Sequence, residues 1–196
     1  MDLRNTQTLI NLARSFAGES QARNRYTIYL EQARADGLEA MARTIQLIAD
    51  NELAHAREFM ERIIAGVPVQ PGNIMIDAGY PFELGTTTDN MFFAAAGENA
   101  ESSRIYPEFA KVAQQEGFEP IAQLWNMIST VERGHDAAFT EMGNRLRDGS
   151  LYRRDRPLVW KCSNCGFERL GTEAWDTCPL CGYAQGWVEL NLDARL

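Results

Sequence analysis

Between residues 4 and 148, apolar side chains recur at three- and four-residue intervals. The positions between them are filled by Ala, Glu, Arg, Gln and Met, all strong helix formers. The periodicity breaks at Asp36-Gly37, between Gly66 and Thr88, at Glu116-Gly117 and at Gly149. Four long helices are therefore predicted, over 4–35, 38–65, 89–116 and 119–148. Leu9, Leu12, Phe16, Leu47, Ile48, Phe92, Phe93, Leu124, Ile128 and Phe139 fall at core spacing on them. Thr88 or Asp89 is expected to cap the third helix. Pro107, which has no N–H, is expected to free the carbonyl of Ser103 and kink that helix.

The first and third breaks have room only for antiparallel hairpins, whereas the second spans more than twenty residues and carries Pro68, Pro71 and Pro81. Two hairpins joined by one long outer crossover is the connectivity of ferritin-like four-helix bundles. An internal repeat supports the layout. A shift of 80 residues lays Tyr26 on Tyr106, Gly37 on Gly117, Glu52 on Glu132, His55 on His135 and Phe59 on Phe139. A shift of 79 lays Ala17-Gly18-Glu19 on Ala96-Gly97-Glu98, so the copies slip by one residue. After Gly149 the pattern changes, and residues 151–196 hold all four cysteines and three of the four tryptophans. The expected organisation is mainly α: a bundle over 1–150 followed by a small ribbon over 151–196, too small to fold readily without a metal or disulfide.

Charge narrows the function. A net charge of −8 with no sustained basic stretch excludes a nucleic-acid binder, the longest basic cluster being the interrupted Arg153-Arg154-Asp155-Arg156. No apolar run is long enough to cross a membrane, and the first twenty residues lack the apolar block of a secretory signal. A cytoplasmic location is expected, where disulfides are rare and Cys-x-x-Cys points to a metal.

Both histidines of the chain lie three residues after a glutamate, in Glu52-Leu-Ala-His55 and Glu132-Arg-Gly-His135. On a helix this spacing turns an oxygen and a nitrogen toward one ion. Glu52 and Glu132 each lie 15 residues after a hairpin turn, and Glu19, Glu98 and Glu101 lie 18, 19 and 16 before one. At about 1.5 Å per residue, five carboxylates and two imidazoles share one layer of the bundle. Such a cluster stays ionised in an interior only around cations, and its ligand types are those of carboxylate-bridged di-iron or di-manganese sites. Tyr26, two turns after Glu19, and its repeat mate Tyr106 are candidate hydrogen-bond donors to the cluster. In the ribbon, Cys162-Ser-Asn-Cys165-Gly and Cys178-Pro-Leu-Cys181-Gly form two knuckles suited to one tetrahedral four-thiolate site for zinc or iron.

Taken together, AGES (17–20), ELAH (52–55), GENAES (97–102), ERGH (132–135) and CSNCG…CPLCG resemble the rubrerythrin family over nearly the whole chain. The resemblance implies a ferritin-like di-iron bundle with a rubredoxin-like FeS4 domain, zinc being possible at either site in isolated protein. It implies Glu19, Glu52, His55, Glu98, Glu101, Glu132 and His135 as di-iron ligands, with Glu52 and Glu132 bridging. Cys162, Cys165, Cys178 and Cys181 would hold the FeS4 iron, and Tyr26 and Tyr106 would be the hydrogen-bonding tyrosines. It further implies that His55 and Glu98 exchange on one iron. The implied activity is reduction of hydrogen peroxide to water in a head-to-tail homodimer, with electrons from rubredoxin and NAD(P)H-dependent reductases. A ferroxidase or iron-storage protein is the alternative.

Overall fold

The computed structural model describes residues 2–193; Met1 and residues 194–196, the outer ends of the two expected domains, lie outside them. Helices α1 (Gln7–Ala35) and α2 (Glu39–Ala65) form the first hairpin. Helix α3 (Thr87–Ala100), a π turn (Glu101–Ile105) and α4 (Tyr106–Gln115) form one near-continuous rod that pairs with α5 (Glu119–Arg147). The antiparallel strands β1 (Arg153–Lys161) and β2 (Glu168–Glu173) begin the ribbon. Helix α3 starts earlier than expected because Thr86, rather than Thr88 or Asp89, is the cap. The Thr86 hydroxyl accepts the Asp89 N–H, and the Asp89 carboxylate returns a bond to the Thr86 N–H.

Two apolar clusters fill the bundle, one at each end. Ala33, Met41, Met91 and Met142 belong to the first, with Leu3, Ile63, Ala113 and Ile121 in the second. The hairpin turns at Gly37 and Gly117, both with positive φ (77° and 84°), therefore lie at opposite ends. The repeats are thus related by a pseudo-twofold axis across the bundle, and the crossover runs its full length. It lies along α1, where Tyr80 donates to the Arg14 carbonyl at 2.9 Å and Tyr29 to the Glu83 carbonyl at 2.7 Å.

Leu12, Ile48, Leu124, Ile128 and Phe139 are buried as the periodicity predicts, and Leu9 and Phe93 are partly so. Phe16 and Leu47 are not core residues, being 37% and 50% exposed. The inward stripe of α1 passes through Leu12, Ser15 and Glu19, and that of α2 through Ile45, Ile48, Ala49 and Glu52. Those stripes leave the two side chains on the outer flanks.

The kink forecast at Pro107 takes a different form. In the π turn the Tyr106 N–H bonds the Glu101 carbonyl five residues back. In that register the donor missing at Pro107 belongs to Ser102, not Ser103. The Ser129 hydroxyl of α5 fills the gap, donating to the Ser102 carbonyl at 2.7 Å in the buried interior. The π turn also accounts for the slip between repeats: one extra residue enters between Glu98 and Tyr106 and is absorbed there.

The ribbon docks on the Gly37 end of the bundle. Gly186 packs so closely that a Cβ would collide with the Gly37 carbonyl. Arg43 of α2 lies 4.7 Å over the Trp187 ring and donates to the Ser163 carbonyl at 3.2 Å. Leu190 and Leu192 extend the neighbouring apolar cluster.

Replacing Ser129 by alanine leaves a buried carbonyl without a donor, which is expected to cost about 1–3 kcal/mol. Urea unfolding should show a lowered midpoint with an unchanged slope. Ser103→Ala, which removes only an exposed bond to the Asn99 carbonyl, should change little.

Candidate metal centres

Glu19 on α1, Glu52 and His55 on α2, Glu98 on α3, and Glu132 and His135 on α5 converge between the two apolar clusters. Except for His55, whose side chain is 12% exposed, all are fully or almost fully buried. They form two overlapping groups, Glu19-Glu52-His55-Glu132 and Glu52-Glu98-Glu132-His135, each with one ligand atom per residue inside a 4.8 Å span. Glu52 and Glu132 belong to both groups. His55 Nδ1 lies 2.8 Å from Glu132 and 3.1 Å from Glu52, and His135 Nδ1 lies 2.7 Å from Glu132 and 3.1 Å from Glu52.

The tyrosines tie the repeats together. The Tyr26 hydroxyl of α1 donates to Glu98 on α3, and the Tyr106 hydroxyl of α4 donates to Glu19 on α1. Because Tyr26 and Tyr106 are repeat mates, as are Glu19 and Glu98, each copy orients the other's carboxylate. Asn51, which the sequence reading does not single out, puts its amide 3.2 Å from His135 Nε2. Nothing in its local sequence separates it from other helical asparagines; only its position one turn before His55 hints at the site face.

Glu101 belongs to neither group. It opens the π turn and lines a cavity of about 560 Å³ with Gly18, Arg25, Tyr80, Gly97 and Tyr106, roofed by the crossover. Its Oε1 lies 3.5 Å from where a Cβ on Gly18 would stand, on the Glu19 side of the cluster. The exchange of His55 with Glu98 is therefore at odds with the geometry, since Glu98 falls with His135 in the opposite group.

The electrostatics require cations. Glu19 Oε2, Glu52 Oε1, Glu98 Oε2, both Glu132 oxygens and His135 Nδ1 are buried and crowd the same space, and their approaches to one another, though short, lack the alignment of full hydrogen bonds. These acceptors fit a pair of metal ions. Without metal, burial first and neighbouring carboxylates second push Glu98 well above the usual carboxylate range; burial does the same to Glu19 against an opposing bond from His55. Glu101 rises to about 8 for the same reasons as Glu98. Burial also opposes charge on Glu52, yet the two imidazoles hold it at about 2. Burial alone would depress both histidines, but bonds to the carboxylates outweigh it, raising His135 to about 9 and His55 well above its ordinary value. Protons stand where cations belong.

The four cysteines also converge within 4.8 Å. The sulfurs of Cys162 and Cys181 lie 3.7 Å apart, as do those of Cys165 and Cys178. The edge of a tetrahedron with metal–sulfur bonds of about 2.3 Å is about 3.8 Å, so the cage is already metal-sized. Gly166 and Gly182, both at φ 75°, close the knuckles, and the Phe167 and Tyr183 N–H groups bond the sulfurs of Cys165 and Cys181.

A four-helix bundle around a carboxylate–histidine pair of metal positions, carrying a four-thiolate ribbon, defines a ferritin-like metalloprotein with a second, rubredoxin-like metal site. The Rubrerythrin family pattern matches residues 11–143, and that of the rubrerythrin rubredoxin-like domain matches 160–186. Among relatives, rubrerythrin from Clostridium perfringens is 39% identical over 96% of both chains. Rubrerythrin from Nitratidesulfovibrio vulgaris is 33% identical over the same shares. Among solved structures, partially reduced nigerythrin superposes with TM-score 0.63 at 24% identity, over 96% of this chain and 91% of that one. A Mycobacterium tuberculosis bacterioferritin gives 0.64 at 19% identity, over 76% of this chain and 90% of that one. The chain belongs to the rubrerythrin family. Its cofactors are accordingly iron, as a non-haem di-iron centre and a mononuclear four-cysteine centre. No helix among the described residues is long and apolar enough to cross a membrane.

The raised groups set a pH dependence for the metal-free protein. Glu101 between 4.5 and about 8, and His135 between 6.5 and about 9, keep protons in the folded state that the unfolded chain has released. Stability should therefore fall as pH rises through these windows, whereas Glu52, held at about 2, contributes stability that is lost on acidification below 4.5. Urea midpoints in chelator should show the decline, and calorimetry in two buffers should show metal binding releasing protons and tightening with pH.

Proposed function

We propose that the protein is a peroxidase that reduces hydrogen peroxide to water at the carboxylate–histidine centre, with the four-cysteine centre relaying electrons. The reading also assigns residues 1–150 to the catalytic domain and 151–196 to the electron-transfer domain. The observation that carries it is the presence, in one chain, of a two-position carboxylate–histidine cluster and a four-thiolate cage of metal dimensions. An iron-storage role gives the cage no task.

In this reading Glu19, Glu52, His55 and Glu132 would hold one iron and Glu52, Glu98, Glu132 and His135 the other, Glu52 and Glu132 belonging to both groups. A ferrous pair, when bound there, would supply the two electrons that reduction of peroxide to water requires. The chain's own residues do the rest. Tyr26 and Tyr106 fix the carboxylates of Glu98 and Glu19 from across the repeat axis. The cavity, lined by Glu101 and Tyr106 beside the cluster, is the proposed approach for a small polar substrate. Glu101, lying off both groups, is the carboxylate positioned to share the His55 side and to hold a proton for the departing oxygen. The Gly37-end docking separates the two centres within one chain, since about 14 Å of helical rise divides Arg43, beside the ribbon, from Glu52. A head-to-tail homodimer, in which the ribbon of a second copy delivers the electrons, is part of the same proposal. Rubredoxin and NAD(P)H-dependent reductases are the proposed donors and the cytoplasm the proposed location.

Purified protein is expected to carry about three irons per chain, two in the bundle and one in the ribbon. After anaerobic reduction, adding peroxide should restore the visible absorption of the oxidised ribbon iron far faster than adding oxygen. Cys178→Ser should remove that absorption and peroxide turnover while leaving iron in the bundle. Faster reaction with oxygen than with peroxide would move the assignment to a ferroxidase.

A further inference from the structure

The pseudo-twofold axis makes the two histidines equivalent in sequence, yet their surroundings differ. His135 is fully buried, and both ring nitrogens are engaged: Nδ1 faces Glu52 and Glu132, and Nε2 meets the Asn51 amide at 3.2 Å. The repeat mate of Asn51 is Val131, which has no polar atom to offer the ring of His55. His55 is also the more exposed of the pair, at 12% against 0%.

We infer that Asn51 is a positioning residue that locks His135 into one tautomer and one orientation, and that its lack of a counterpart at Val131 leaves the Nε2 edge of His55 without the same support. The inference rests on the metal-centre reading above. A ring that gives Nδ1 to a cation must carry its hydrogen on Nε2, and that hydrogen needs an acceptor. Asn51 provides one: a half-turn about its Cβ–Cγ bond exchanges the NH2 for the carbonyl oxygen at the same place. The His135 position is thereby pre-organised and binds metal first. The His55 position lacks that support and fills second.

The chain has only two histidines, so 15N-histidine labelling gives a spectrum with four ring nitrogens. Full-length protein is freed of metal and titrated with Zn²⁺, a diamagnetic probe whose uptake by the cysteines involves no imidazole. The wild type should show His135 shifting before His55, as the Nε2–H tautomer with a slowly exchanging proton. Asn51→Leu should speed that exchange, weaken the first bundle site about 10- to 100-fold and leave the His55 step unchanged. Asn51→Asp, which keeps an acceptor oxygen, should restore both. Val131→Asn should give His55 a protected Nε2–H and tighten the second step. An unchanged His135 signal in Asn51→Leu, metal bound through Nε2, or equal loss in Asn51→Asp would overturn the positioning role alone. If zinc moved no histidine nitrogen in any variant, the metal-centre reading would fall, and this inference with it.

Discussion

The architecture answers one electrostatic problem: several carboxylates held inside a helical bundle, where they repel one another and are cut off from water. Such an arrangement persists only if positive charge enters with them. In the metal-free chain protons fill that role, which is why Glu19, Glu98 and Glu101 hold on to theirs and both imidazoles stay charged. Metal ions meet the same need with better geometry. Neutralisation by metal and the stability of the bundle core are thus one property, and the apolar clusters on either side insulate it.

Duplication supplies the geometry economically. Each hairpin contributes a Glu-x-x-His pair and a further carboxylate, and each sends a tyrosine across to fix its twin's glutamate. The centre therefore exists only where both copies meet. Departures from symmetry matter as much as the symmetry. The π turn, the extra carboxylate at Glu101, and an asparagine opposed by a valine fall on or beside the ligands. The single ribbon, docked at one end, gives an otherwise two-ended bundle a direction.

Much of this was legible in the residues. Glutamate and histidine at helical spacing, repeated after 80 positions, specify ligands because few other arrangements of those residues survive burial. The cysteine knuckles read as directly, since their glycines serve a backbone conformation that other residues avoid. What escaped depends on rotation about helix axes and on partners distant in sequence. Phe16 and Leu47 have core chemistry but sit on outer flanks, a matter of how each helix is turned. Asn51 acquires meaning only when α5 brings His135 beside it. The one-residue slip was visible in the sequence, but that a π turn absorbs it, with Ser129 healing the backbone, required three dimensions.

The π turn also acts as a ratchet on the chain's history. Because the π turn absorbs the extra position, removing it would leave Tyr106 facing the cluster, as the seven-residue spacing of Glu19 and Tyr26 does in the other copy, but would restore the four-residue hydrogen-bond register and take from Ser129 the free carbonyl it serves. Once neighbouring contacts formed around the insertion, no single deletion could return the hairpin to a perfect copy without breaking them. The two halves, however alike in origin, are now different parts that can no longer be interchanged.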